Sequence, residues 1–369
     1  MLSLSDFTTV CDPLYLEIGT ATCTPETCCI AYGKMSYLPN LPANIFFAAV
    51  FLLLLLPNAI IGIRYKTWSF FAWMSLGLIG EAIGYIGRIM LYYNIFDFNA
   101  FLMYLVPLTI APAFITASIY LCLARIISVL DPTLRYSRLK PMTYTKIFVT
   151  FDLISLLLQA AGGALASISD SQSETDTGVN IMIAGLAFQV FSLVVFICLC
   201  LDFAIRLYRG FQSISWRSPK SRTSVNTEAN TSYESEGPAP VLDETSKYEY
   251  ITTSFMFKAF VCSMAAATIL ILTRSVYRLL ELQEGFDGEL ANNEVLFMIL
   301  EPPMIFISCS LLIVFNPAFA LKGLWSMTDF RSQQAQGIEM NHAEGVKPKS
   351  DWFTFGKDKR RGTYEAVRV

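Results

Sequence analysis

The side chains in this sequence that can handle charge or protons lie inside long apolar runs, where they are costly to place. Glu81, Tyr85 and Arg88 are spaced i, i+4 and i+7, so on a helix they share one face. Asp152, Ser155 and Gln159 follow a similar rhythm at i, i+3 and i+7, and Gln189 stands in the next run. Tyr120 closes another run, Arg274, Tyr277, Arg278 and Glu281 a further one, and Glu301 precedes Pro302-Pro303 in the last. A charge at mid-bilayer costs about 2.5–3.5 kcal/mol on insertion scales, so such residues mark polar seams or ligand and ion paths. The carboxylates of Glu81, Asp152 and Glu301 can pair with an ammonium group or carry a proton, and Gln159 and Gln189 can hydrogen-bond hydroxyls. Arg88, Arg274 and Arg278 can repel a cation or attract an anionic headgroup. The structural alternative is a set of ion-paired seams that fix helix packing, and a buried pair alone decides neither.

Several chemistries lack material. The single histidine, His342, lies in a polar tail, so His triads, His-zinc sites and His proton relays have no basis. There is no G-x-x-x-x-G-K-[ST] phosphate loop. A net charge of −3 carries no nucleic-acid footprint. The expectation is a protein that is not an enzyme, with no cofactor, no metal and no nucleic-acid partner.

The elements that must position these groups follow from composition. Of 369 residues, 54% are hydrophobic and only 15% charged, against roughly 25% charged in a soluble domain. Residues 35–63, 98–124 and 177–201 contain no Asp, Glu, Lys or Arg. Blocks of about twenty apolar residues span a bilayer as helices, and their continuous character excludes the alternation of a β-barrel. The fold class is therefore all-α and polytopic, with seven spans at about 42–63, 68–91, 99–124, 147–169, 180–205, 256–280 and 293–320. Gly77, Gly80, Gly84 and Gly87 form a smooth stripe for close helix approach in the second span. Pro107 and Pro112 should bend the third. Alternate linkers hold 22 Lys and Arg against one, Lys34, on the other side. That asymmetry predicts an N-terminus outside and a C-terminus in the cytosol.

Residues 1–41 then form an external tail without a signal-peptide h-region. It holds Cys11, Cys23, Cys28 and Cys29, which oxidising surroundings allow to bridge. Three full pairings exist, and those joining Cys11 and Cys23 to the adjacent Cys28 and Cys29 are favoured over a bridge within the adjacent pair. The five remaining cysteines lie in spans and read as small apolar residues. Segment 212–247 is rich in Ser, Thr, Glu and Pro and is expected to be disordered. Its sequon at Asn230 falls on the cytosolic side and should stay unmodified. Residues 321–369 form a basic cytosolic tail, read as a solvated segment with trafficking signals, with attraction to anionic lipids the sharper alternative.

Six motifs in order carry a resemblance. They are Y-x-P-x-x-x-x-N (Tyr37, Pro39, Asn44), E-x-x-G-Y-x-x-R (Glu81 to Arg88) and A-P-x-F-x-x-A-x-x-Y (Ala111 to Tyr120). Then follow D-x-x-S-x-x-x-Q-x-x-G-G (Asp152 to Gly163), G-x-x-x-Q (Gly185, Gln189) and R-x-x-Y-R-x-x-E (Arg274 to Glu281). Together, from Tyr37 to Gly323, they resemble the fungal RTA-like family of lipid-translocating exporters. D-F-N-A-F-L from Asp97 and L-T-I-A-P from Leu108 are most similar to its sphingoid long-chain-base branch. The resemblance implies a seven-span fungal protein of the plasma membrane that exports amphiphilic lipids such as sphingoid bases and confers resistance to toxic ones. Internal membranes are the alternative location. Many relatives end the last span with His-Pro-Gly; this sequence has Asn316-Pro317-Ala318, so no role of that histidine transfers. The partners implied are membrane lipids, with a homo-oligomer and with kinases or trafficking factors on the cytosolic segments as further candidates. The competing reading is a seven-helix lipid sensor or receptor. Against it, the third span ends L-A-R-I-I without an acidic-Arg-Tyr triplet, and Ala320 stands where N-P-x-x-Y needs tyrosine.

Overall fold

The structure, a computed structural model, describes residues 37–130, 137, 140–168, 172–215, 254–283 and 293–320. The chain falls into two compact units, Met1–Ser326 and Met327–Val369, and the second lies wholly outside the described residues. So do the four N-terminal cysteines, the sequon at Asn230 and most of 212–247.

The described residues of the first unit form helices joined by short turns, with no strand among them. Its elements are α1 (Leu41–Arg64), α2 (Trp68–Tyr93), α3 (Phe98–Leu130), α4 (Pro141–Ile168), α5 (Gln172–Ser215) and α6 (Phe255–Gln283), followed by three pieces, α7 (Glu294–Leu300), α8 (Pro302–Val314) and α9 (Pro317–Ala320). Seven stretches are long and apolar enough to cross a membrane, the last combining α7 to α9. This is a multi-pass membrane protein. Helices are required because hydrocarbon offers no partner to a free backbone N–H or C=O. Apolar side chains such as Leu53, Ile60, Leu157 and Val314 are exposed on the outside, while Glu81, Arg88 and Glu301 are fully buried within a largely apolar core.

The ends are set by local chemistry. Asn40 caps α1 by accepting from the Ala43 N–H, 3.1 Å away. Asp97 does the same for α3, accepting from Asn99 N–H at 2.9 Å. The helices overrun the expected spans, most of all α5, which continues to Ser215 and so into the segment 212–247. At 44 residues it is about 66 Å long, well beyond a hydrocarbon core of about 30 Å. An Asp202–Arg206 pair at 3.0 Å decorates its far end.

The last span, read from sequence as one helix, breaks twice. Pro302 and Pro303 bring no N–H, so the ladder stops at Glu301, whose own N–H still reaches Phe297 O at 2.9 Å. The second break is at Asn316-Pro317, where the Asn316 side chain accepts from the Ala318 N–H at 3.0 Å. Pro107 and Pro112, by contrast, stay inside a continuous α3.

Glycines decide the tightest pairings. A Cβ on Gly87 would lie 2.5 Å from the Tyr104 backbone nitrogen, and one on Gly84 would strike Leu108. The stripe on α2 therefore packs against α3 at backbone contact distance. Gly162 and Gly178 join α4 to α5 in the same way: a Cβ on Gly162 would lie 2.5 Å from Gly178 O, and one on Gly178 2.5 Å from Ala166 N.

Candidate functional site

The eleven candidate polar side chains are all buried among the helices, and they fall into two groups. No hydrogen bond or ion pair among the described residues joins one group to the other.

The first group belongs to α2, α6 and the α7–α8 break. Glu301 sits at the break and accepts from Arg274 Nη2 at 2.7 Å. The same Arg274 nitrogen donates to Leu108 O at 2.8 Å. That carbonyl is free because Pro112, four residues on, has no N–H to give it. The proline of α3 thus creates the acceptor that anchors the arginine of α6. Arg278 pairs with Glu281 at 2.6 Å and approaches Glu301 at 3.8 Å. Both arginines find carboxylates, as buried charges must.

Arg88 is held differently. It is fully buried, donates to Asn44 Oδ1 at 3.1 Å and to the Tyr37 hydroxyl at 3.0 Å, and has no carboxylate partner. Its guanidinium lies 4.0 Å from the Phe297 ring centroid and 4.9 Å from that of Tyr104, which supplies cation–π attraction instead. Burial pushes the Tyr37 phenol up to about 12, so it stays a neutral acceptor for Arg88. Asn40 N–H also bonds Glu294 beside this cage.

Glu81 completes the α2 face. It is fully buried, and neither carboxylate oxygen has a hydrogen-bond partner. Arg274, Glu301 and Arg278 are its electrostatic neighbours, yet none bonds it. Tyr85, one turn on, stacks on Phe51 at 5.6 Å with its hydroxyl unpartnered. Glu81 and Arg88 share the buried face but do not pair, because i and i+7 are about 10.5 Å apart along a helix.

The second group joins α3, α4 and α5. Asp152 Oδ2 accepts from the Tyr120 hydroxyl at 3.0 Å and the Thr116 hydroxyl at 3.1 Å, with no cation in contact. The Tyr120 ring is fixed by Phe196 at 4.6 Å and Phe148 at 5.5 Å. Ser155 turns its hydroxyl back to Asp152 O at 2.8 Å, which leaves it a local helix contact. Gln159 Nε2 donates to Gln189 Oε1 at 3.2 Å, beneath a Gly185 that lets α5 approach.

Some participants escape a reading of single motifs. Thr116, one turn before Tyr120, carried a usable signal: two hydroxyls on one face. Tyr104 and Phe297 carried none, since aromatic residues fill every span and only the fold shows which surround an arginine. Asn58, buried in α1 and donating to Ser75 Oγ at 2.9 Å, is a third polar contact, between α1 and α2.

The chain is similar to known proteins over most of its length. The sequence model of the family described as "RTA1 like protein" matches residues 74–324, which include every site residue above from Glu81 on. The chain is 34% identical over 304 residues to the sphingoid long-chain base transporter RSB1 of Saccharomyces cerevisiae, covering 79% of this chain and 75% of that one. It is 28% identical to Protein RTM1 over 65% of each chain, and 28% identical to Protoporphyrin uptake protein 1 over 63% of each, both from Saccharomyces cerevisiae. No solved structure matches. Nothing in these relatives' names supports the sensor reading. With its seven spans and a match over most of its length, the chain belongs to the RTA1-like family of multi-pass membrane proteins.

Proposed function

We propose that this protein moves cationic single-chain amphiphiles, sphingoid long-chain bases foremost, across the plasma membrane, with its N-terminus outside. The observation that carries the reading is a mismatch of buried charges. Among the described residues, Glu81, Asp152, Glu281 and Glu301 are the buried carboxylates. Glu281 and Glu301 are paired with arginine, whereas Glu81 and Asp152 have no ion-pair partner. A carboxylate without a fixed cation, deep in a membrane, suits a mobile one: an ammonium headgroup or a proton. The relatives named as long-chain-base transporters handle a substrate with such a head.

In this scheme the ammonium head meets Asp152 and Glu81 as successive polar stations while the alkyl chain stays in hydrocarbon. Gln159 and Gln189 supply hydrogen bonds to the head's hydroxyls. Glu301, engaged by Arg274, keeps that arginine neutralised at the helix break, and discontinuous helices of this kind commonly line transporter sites. Arg88 in its aromatic cage keeps a fixed positive charge near one end of the route.

The test is growth on added sphingoid base. Cells making Asp152→Asn or Glu81→Gln protein should lose at least about tenfold in tolerated dose if each carboxylate contributes a buried ionic contact, with surface abundance unchanged. Full resistance from both variants would remove the carboxylate route.

A further inference from the structure

Between α3 and α4 lies a cavity of about 360 Å³, within the roughly 300–1,000 Å³ usual for small-molecule sites. It runs from the level of Ile110 to that of Phe98, about 18 Å of helix at 1.5 Å per residue. Leu102 and Val106 of α3, Leu156, Ala160 and Ala164 of α4, and Met182 of α5 form its apolar wall. No charged side chain among the described residues lines it.

The fold explains why this space exists. Glycines hold α3 against α2 and α4 against α5. The α3–α4 seam is instead closed by side chains around Asp152, Thr116 and Tyr120. Beyond that contact, Ala160, Gly163 and Ala164 leave the α4 wall shallow.

One polar side chain at this end of the cavity keeps an acceptor without a partner. Gln159 lines the cavity, is 4% exposed, and spends Nε2 on Gln189, while its Oε1 accepts nothing. Thr109, the other polar lining residue, turns its hydroxyl proton to Leu105 O at 2.7 Å, so it too presents lone pairs. A buried acceptor left unmet is destabilising. In hydrocarbon only a ligand's own N–H or O–H can meet it.

We infer that this cavity binds one alkyl chain of a single-chain amphiphile whose hydroxyl or amine donates to Gln159 Oε1. The chain extends toward Phe98, because the opposite direction is shut by the Asp152 contacts. The head then lies two turns from Asp152 on the same face of α4, in reach of the carboxylate route. An anionic head finds no donor and no cation here, so an ionised fatty acid is disfavoured although its chain would fit. The assignment rests on the base-transport reading above and adds where the chain is held and what excludes other single-chain lipids.

The test uses the purified full chain in lipid nanodiscs and a sphinganine carrying a photoactivatable diazirine at mid-chain. Cross-links should map to 98–110 of α3 and 156–164 of α4. Ala160→Phe and Ala164→Phe fill the space from its lipid-facing side, so they should fold with unchanged unfolding temperature and lose about tenfold in affinity. Gln159→Leu should lower affinity for the base without moving the cross-links. Octadecylamine, octadecanol or both should compete, and whichever does identifies the group that meets Gln159; octadecanoate should not. Cross-links elsewhere, wild-type affinity in the folded phenylalanine variants, or equal competition by octadecanoate would overturn the assignment while leaving base transport intact. A wild-type protein that binds no base would remove both readings.

Discussion

Glu81 and Glu301 are equally buried, yet their surroundings make opposite demands. Glu301 neutralises Arg274, so Glu301→Gln strands a buried guanidinium, a change that costs about 3–5 kcal/mol when one partner of a buried pair is removed. Glu81 bonds nothing, and Glu81→Gln should leave thermal unfolding in detergent within about 1 kcal/mol of wild type while lowering transport. Equal stability of the two variants would mean that the Arg274 pair does not hold the α6–α8 seam. Arg88 offers a second contrast. Lys at this position keeps the charge but not the fork that reaches both Asn44 and Tyr37, so Arg88→Lys should unfold at lower temperature than wild type, whereas Tyr37→Phe, which removes one acceptor, should cost only about 1–3 kcal/mol. At this scale the sequence revealed which polar residues lie buried among the helices, because a charge in an apolar run is conspicuous. It could not reveal their partners. Arg274 meets Glu301 across 27 positions and Leu108 O across 166, and no periodicity encodes such pairs.

The helices show the same division. Span existence, the α2 glycine stripe and the proline positions were legible, since each is a local property. Which helix each glycine faces was not, nor was the break at Glu301, where two prolines in an otherwise unbroken apolar run end one helix and start another. The adjacent glycines of α4 test the packing directly. Gly162→Ala places a methyl 2.5 Å from Gly178 O and should destabilise by about 1–3 kcal/mol, whereas Gly163→Ala meets only the Met182 side chain, at 3.6 Å or beyond, and should be neutral. Unfolding temperatures of the two variants decide the matter, and equal values would mean that α4 and α5 are not in backbone contact. Pro112→Ala is a third probe: it restores an N–H to Leu108 O, competes with Arg274 for that carbonyl, and should loosen α3 from α6.

For the bundle, polar groups buried among apolar helices are what charged residues inside apolar runs foretold, and the proposed orientation rests on the 22-to-one distribution of Lys and Arg among the linkers. Epitope tags in the N-terminal tail and in 284–292 should be reached by antibody on intact cells, and tags in 216–253 only after permeabilisation; the reverse would invert the route. The N-terminal cysteines should form at least one disulfide, read by mass spectrometry of unreduced protein, and four free thiols would contradict the oxidised external tail. The central claim is that two unpaired carboxylates carry a cationic lipid through the bundle. It is tested most directly by purified protein in liposomes, following transbilayer movement of a fluorescent sphingoid base. Wild-type protein should accelerate that movement, and the Glu81→Gln, Asp152→Asn double variant, reconstituted to equal density, should fall to the protein-free rate. A folded double variant that moves the base as fast as wild type would contradict the account.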